Sequence, residues 1–171
     1  MNRIMKAAIF GIAMGIPISV ALSAKSSDDQ IECLAKNMYF EARNQGTAGI
    51  LAVTAVVLNR VNDSRFPDTI CEVVKQAQTR VSWLNKNKRY PIKNRCQFSW
   101  YCDGKSDVPK NKELYNNLEG WATSILSGEI DFIDITDGAT FYHADYVQPS
   151  WAKMKERTVK IENHIFYRWK Y

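Results

Sequence analysis

Histidine is nearly missing from this chain: only His143 and His164 occur in 171 residues. No two cysteines are spaced C-x-x-C, so a zinc site of the usual Cys/His kind lacks its ligands. Internal repeats and low-complexity linkers are absent. At this length one domain with a real core is the expectation. Acidic residues are missing from the whole stretch between Lys75 and Asp103, which carries Arg80, Lys86, Lys88, Arg89, Lys93 and Arg95. The one long apolar run, residues 7–22, is interrupted by Gly11, Gly15 and Pro17 and falls short of the roughly 20 residues a membrane-spanning helix needs.

That run follows Arg3 and Lys6 and ends at Ala21-Leu22-Ser23-Ala24, the pattern of a secretory signal peptide. Residues 1–24 are therefore set aside as a signal, with an uncleaved signal anchor as the competing reading and the only route to a membrane. Residues 25–171 form the expected domain, exported to the periplasm or the cell wall and acting as a monomer. Removal of Arg3 and Lys6 with the signal lowers the net charge from +5 to +3, which suits an anionic polymer without requiring one.

Cys33, Cys71, Cys96 and Cys102 all lie in the exported part, an even count that favours two disulfides. Four cysteines allow three pairings. Cys96 and Cys102 flank a short aromatic loop, which makes a local staple the simplest choice and leaves Cys33–Cys71 to join the starts of two helices.

Ile31, Leu34, Ala35 and Met38 recur at helical spacing, predicting a helix from about Asp29 to Arg43 that Gly46 ends. Glu32 and Glu41 lie nine residues apart, about 900° and half a turn out of phase, so one faces water when the other faces inward. Thr47 is the expected cap of a second helix through Val61, apolar almost all round and therefore central. Asp68 is the expected cap of a third, Thr69 to about Ala77. From Gln78 to Asp107 periodicity dissolves into a basic stretch studded with Trp83, Tyr90, Phe98, Trp100 and Tyr101, expected to be irregular. Residues 111–126 read as a fourth helix with Leu114, Leu118, Trp121, Ala122 and Ile125 inward, stopped at Gly128. Residues 139–147 read as strand-like, and Thr158–Ile161 with His164–Trp169 as a hairpin. The fold class is α+β, mainly helical and lysozyme-like, with a small C-terminal β-hairpin.

The chemistry centres on Tyr39-Phe40-Glu41-Ala42-Arg43. A carboxyl carried into an apolar setting resists ionisation and stays a proton donor near neutrality. Together with stacking aromatics and positive charge, such a Glu points to cleavage of a glycan rather than to nucleic acid, which an exported protein rarely meets. A glycoside hydrolase usually needs a second carboxylate. None follows Glu41 before Asp63, and Asp103, Asp137 and Asp145 are unranked candidates. A lytic transglycosylase needs only one, because the C6 hydroxyl of the muramic acid itself attacks and leaves a 1,6-anhydro end.

Tyr39–Arg43, the run Ala52–Val61, Phe66–Cys71, the block Cys96-Gln97-Phe98-Ser99-Trp100-Tyr101-Cys102, the segment around Phe141-Tyr142-His143-Ala144, and His164–Tyr167 occur in one order that resembles the cell wall hydrolase family of the spore-cortex-lytic enzymes. The resemblance implies a lysozyme-like catalytic domain acting on peptidoglycan without a cofactor, and it implies Glu41 as acid/base. It places Gln97, Phe98, Ser99, Tyr142 and His143 as substrate-binding candidates. Trp151 and His164 are expected to pack the hairpin, and Arg43 to point away from Glu41. One departure stands out: the family often reads E-A-R-G-E, whereas Gln45 replaces the second acid here. That favours the single-carboxylate route. The rivals are a hydrolase of lysozyme type, a zinc amidase built on His143 and His164, and a peptidoglycan-binding module without catalysis.

Overall fold

The computed structural model describes residues 27–170, so the signal reading on residues 1–24 lies outside the described residues. Helix α1 spans Ser27–Ala42, α2 Thr47–Val61, α3 Ile70–Val74 and α4 Lys112–Leu126. Strands β1 (Ala77–Val81) and β2 (Arg89–Cys96) form one antiparallel hairpin; β3 (Phe141–Ala144), β4 (Glu156–Ile161) and β5 (His164–Arg168) form a second antiparallel sheet in the order β3-β5-β4. Two 3-10 turns, Ser99–Cys102 and Ser150–Met154, complete the α+β domain. Among the described residues no helix is long and apolar enough to cross a membrane.

Helix α2 explains the architecture. Its Val53 and Val57 share one apolar core with Leu34, Ala35 and Met38 of α1, Val73 and Val74 of α3, and Leu118, Ala122 and Ile125 of α4. Its opposite side, Ala52 and Val56, shares a second cluster with Ala139, just before β3, and Phe166 of β5. A helix covered on both sides can afford no polar stripe, which is why this one is apolar all round. Both disulfides form as the spacing predicts: Cys33–Cys71 ties α1 to α3, and Cys96–Cys102 closes the aromatic loop.

Several expectations change. Thr47 does not cap α2. Gly46 is the N-cap, and the carboxylate of Glu162, in the β4–β5 turn, accepts from the Gly46 and Gly49 amides at 2.8 and 3.3 Å. A distant acid thus serves the positive end of the helix. Thr69 rather than Asp68 caps α3, its Oγ1 accepting from Glu72 N. Residues 77–96 are a hairpin rather than irregular chain. Trp121 is exposed, on the outer side of α4.

Candidate active site

Glu41 stands in the last turn of α1, and Glu32, half a turn out of phase, faces solvent and pairs with Lys36 at 2.6 Å. Tyr39 and Phe40 fix this end of the helix. The Tyr39 hydroxyl accepts from the Lys110 and Asn111 amides, and the Phe40 ring stacks on Trp100. Trp100 in turn donates its indole N–H to the buried Asn37 Oδ1 at 3.1 Å, which locks the stapled loop against α1. Arg43 is exposed and lies over the Tyr39 ring, away from the carboxyl.

The Glu41 carboxyl is enclosed by elements from across the chain. Tyr142, on β3, donates its hydroxyl to Oε2 at 2.8 Å. Oε1 is buried and has no hydrogen-bond partner among the described residues. Burial pushes the Glu41 pKa above the usual carboxylate range; the Tyr142 hydroxyl, the Ser99 and Trp100 backbone amides and the Arg60 charge oppose the rise without cancelling it. Neither amide completes a bond to Oε1. Tyr142 is itself pushed well above the usual phenol value by burial and by the neighbouring carboxyl, so it remains a neutral donor.

Arg60 is the cation of the site. It projects from α2 with only 3% of its surface exposed, and its Nε donates to the Thr140 carbonyl at 2.8 Å. The guanidinium lies among the rings of Phe66, Phe98 and Phe141, at 5.2, 5.1 and 5.9 Å from their centroids. Burial lowers its pKa to about 10, so it stays charged at neutral pH, and Nη1 is buried without a partner. The sequence reading did not single out Arg60. The signal was nonetheless present: Arg60 follows Val53, Val56 and Val57 by seven, four and three residues, on the helix's buried face.

These groups open onto a cleft of about 750 Å³ whose walls include Phe141, Tyr142, Trp151, Trp169 and Lys155, with Gln97 and Ser99 on the rim. Among the described residues Glu41 is the only carboxylate lining it. A second depression, between Phe40, Arg43, Trp100 and the loop 103–110, shares Ser99 with the first. The sequence candidates separate accordingly. Gln97, Ser99 and Tyr142 line the cleft with Glu41. Phe98 is buried beneath it, under Arg60 and Tyr142. His143 points to the other side of β3, where its ring bonds the Tyr167 hydroxyl and the Ala144 carbonyl. His164 packs edge-on against Tyr142. Trp151 packs the sheet as expected but also forms cleft wall, a role the sequence reading did not give it.

Asp137 pairs with Arg168, Asp145 with Lys160, and Asp103 accepts from the Lys105 amide, all outside the cleft. Gln45 is outside it too. Its Oε1 faces the Asn163 amide at 3.5 Å, on the flank where Glu162 meets α2. Among the described residues no three of His, Cys, Asp and Glu group closely enough to hold a metal ion.

Comparison with known proteins converges on one family. The family described as Cell Wall Hydrolase matches residues 44–167, beginning just after Glu41. The spore cortex-lytic enzyme of Halalkalibacterium halodurans is 27% identical over 141 residues, covering 82% of this chain and 35% of that protein. That of Oceanobacillus iheyensis is 38% identical over 77 residues, covering 42% of this chain and 28% of that protein. The chain thus spans about a third of the length of these relatives. Among solved structures, the catalytic domain of the germination-specific lytic transglycosylase SleB from Bacillus anthracis shares the fold (TM-score 0.58, 24% identity, 85% of this chain and 98% of that one). The catalytic domain of the Bacillus cereus SleB protein is equally similar (TM-score 0.58, 25% identity, 85% and 94%).

Proposed function

Because the chain belongs to the cell wall hydrolase family, we propose that it cuts peptidoglycan glycan strands between N-acetylmuramic acid and N-acetylglucosamine, as a lytic transglycosylase with Glu41 as its single acid and base. The observation that carries this reading is the enclosed Glu41 carboxyl, bonded by the Tyr142 hydroxyl and raised in pKa by burial, in a cleft lined by no second carboxylate among the described residues.

The chemistry follows from the partners. Oε2 already accepts the Tyr142 hydroxyl, so the proton of the neutral acid resides on Oε1. Transfer of that proton to the bridging glycosidic oxygen lets the bond to the muramic C1 break, with the electron pair leaving on the N-acetylglucosamine oxygen. The carboxylate then left in the interior is balanced by Arg60, the Tyr142 hydroxyl and the Ser99 and Trp100 amides. It next accepts the proton of the muramic C6 hydroxyl as that oxygen closes on C1. A 1,6-anhydro ring results and Glu41 is restored.

The Phe141, Tyr142, Trp151 and Trp169 rings offer faces for sugar stacking, and the shared Ser99 lets a strand continue from the cleft into the neighbouring depression. Gln97 and Ser99 supply rim hydrogen bonds. This helix-end acid set against a small sheet is the lysozyme-like arrangement. The likeness to the catalytic domain of the Bacillus anthracis SleB, a germination-specific lytic transglycosylase, supports the same reading. With Gln45 outside the cleft, the missing second acid removes no group from it. Two disulfides fit a place of action outside the reducing cytoplasm.

Digestion of purified peptidoglycan by the wild type and by Glu41→Gln, followed by product masses, tests the proposal. Disaccharide-peptides lighter by one water than hydrolysis products, absent from the Glu41→Gln digest, are expected. Hydrated reducing ends would make it a hydrolase of lysozyme type, free stem peptides an amidase, and binding with no products a non-catalytic module.

A further inference from the structure

We propose that the β1–β2 hairpin is a membrane-docking finger: Trp83 and Leu84 at its tip enter the surface of an anionic lipid bilayer, and the flanking cations engage the headgroups.

The tip is built to present these side chains. Trp83 is 88% exposed and Leu84 76%. The turn that carries them is closed on itself: Ser82 N donates to the Lys88 carbonyl at 2.8 Å, and Lys88 N to the Asn85 carbonyl at 2.9 Å. Ser82 Oγ accepts from the Leu84 and Asn85 amides, and Asn85 Oδ1 from Asn87 N. Five backbone amides of the loop, those of Ser82, Leu84, Asn85, Asn87 and Lys88, are thus bonded within it, and the two large apolar side chains are held outward. A turn that only reversed the chain would carry small or polar residues there.

The hairpin contributes to neither apolar core; its base is fixed by the Gln97 N–H to Gln76 carbonyl bond and by the Cys96–Cys102 bridge. Five strand residues at about 3.3 Å each carry the tip roughly 15 Å beyond that base. Val81 and Tyr90, just behind the tip, are also about half exposed.

Charge selects the partner. Lys86, Lys88 and Arg89 flank the tip, and no acid occurs anywhere between Lys75 and Asp103. Such a set is drawn to an anionic surface. An anionic wall glycan would also satisfy the charge, and a sugar can stack on Trp83. Leu84 decides between them, since a branched aliphatic offers a sugar no flat face but partitions readily into the acyl boundary beneath a Trp at headgroup depth. The hairpin base borders the cleft through Cys96 and Gln97, so docking would hold the cleft at a set height over the membrane. The proposal does not depend on the chemistry of Glu41.

The test is co-sedimentation of the exported protein with phosphatidylglycerol-rich vesicles and with pure phosphatidylcholine vesicles, in low and high salt. Binding to the anionic vesicles that weakens with salt is expected. In Trp83→Ser/Leu84→Ser it should fall at least about tenfold, with unchanged thermal melting and unchanged digestion of soluble glycan fragments. Brominated lipids should quench wild-type fluorescence more than that of Trp83→Phe. Equal vesicle binding by wild type and double variant would overturn the proposal. So would binding to isolated wall polymer, but to neither vesicle, that requires Trp83.

Discussion

Tyr142 donates its hydroxyl to Oε2 of Glu41 at 2.8 Å, joining the end of the first helix to a strand 101 residues later. The bond favours the ionised carboxyl and partly offsets the rise that burial imposes. Tyr142→Phe removes it, so Glu41 should hold its proton to higher pH. The alkaline limb of the kcat/KM profile is expected to move upward, with activity at neutral pH down about ten- to a hundredfold. A profile unchanged in position would contradict a direct role for this hydroxyl.

Glu41 itself should weaken the fold. A carboxyl whose pKa is raised by folding contributes fully below its unfolded pKa, and that contribution is lost as pH rises through the folded value. Glu41→Gln does not titrate and keeps an acceptor for Tyr142. Its melting temperature is expected to match the wild type in mild acid and to exceed it increasingly as pH rises. A variant that melts lower at pH 8 would show that the buried carboxyl is not under strain.

Arg60 separates function from stability. Replacing it with Met fills the same space among Phe66, Phe98 and Phe141 but leaves the Thr140 carbonyl unpaired. The lost hydrogen bond costs about 1–3 kcal/mol, against which stands the relief of a buried charge. Melting should therefore shift by only a few degrees, whereas kcat should fall at least about tenfold because the Glu41 carboxylate loses its counter-charge. Calorimetry and steady-state rates on one preparation distinguish these effects.

Glu162 and Gln45 test the far end of the second helix. Glu162→Ala should cost about 1–2 kcal/mol by uncapping α2. Gln45→Glu restores the acid common in the family but sets it beside Glu162, so a loss of about 0.5 kcal/mol without any gain in rate is expected. Urea denaturation of both variants, with rates measured in parallel, decides it. Faster turnover in Gln45→Glu would assign position 45 a catalytic part.

The helices α1 and α4 were legible because each buries a face that leaves a 3.6-residue rhythm, and α2 because a long apolar run with no polar face marks a central helix. The β1–β2 hairpin was not: its residues are mostly exposed on both faces, so no alternation marks them as strands. The flanking aromatics and the phase relation to Glu32 drew notice to Glu41 locally, but they fit an ordinary helix-end acid as well, and its reading as a catalytic acid came mostly from family likeness. Its partners could not. Tyr142 was picked out only through family likeness, and Arg60 was not singled out, because polar neighbours at the end of α2 hid its place on the buried face. The capping of α2 by Glu162 joins residues more than a hundred positions apart, and nothing within either segment announces it.

The Cys96–Cys102 bridge spans the residues whose amides face Glu41, and Cys96 itself borders the cleft. A newly made chain, still among cytoplasmic reductants, would lack that clasp, and the Ser99–Trp100 turn would be free to drift from the carboxyl. On the proposed place of action, outside the reducing cytoplasm, the site would be completed only where that bridge can form.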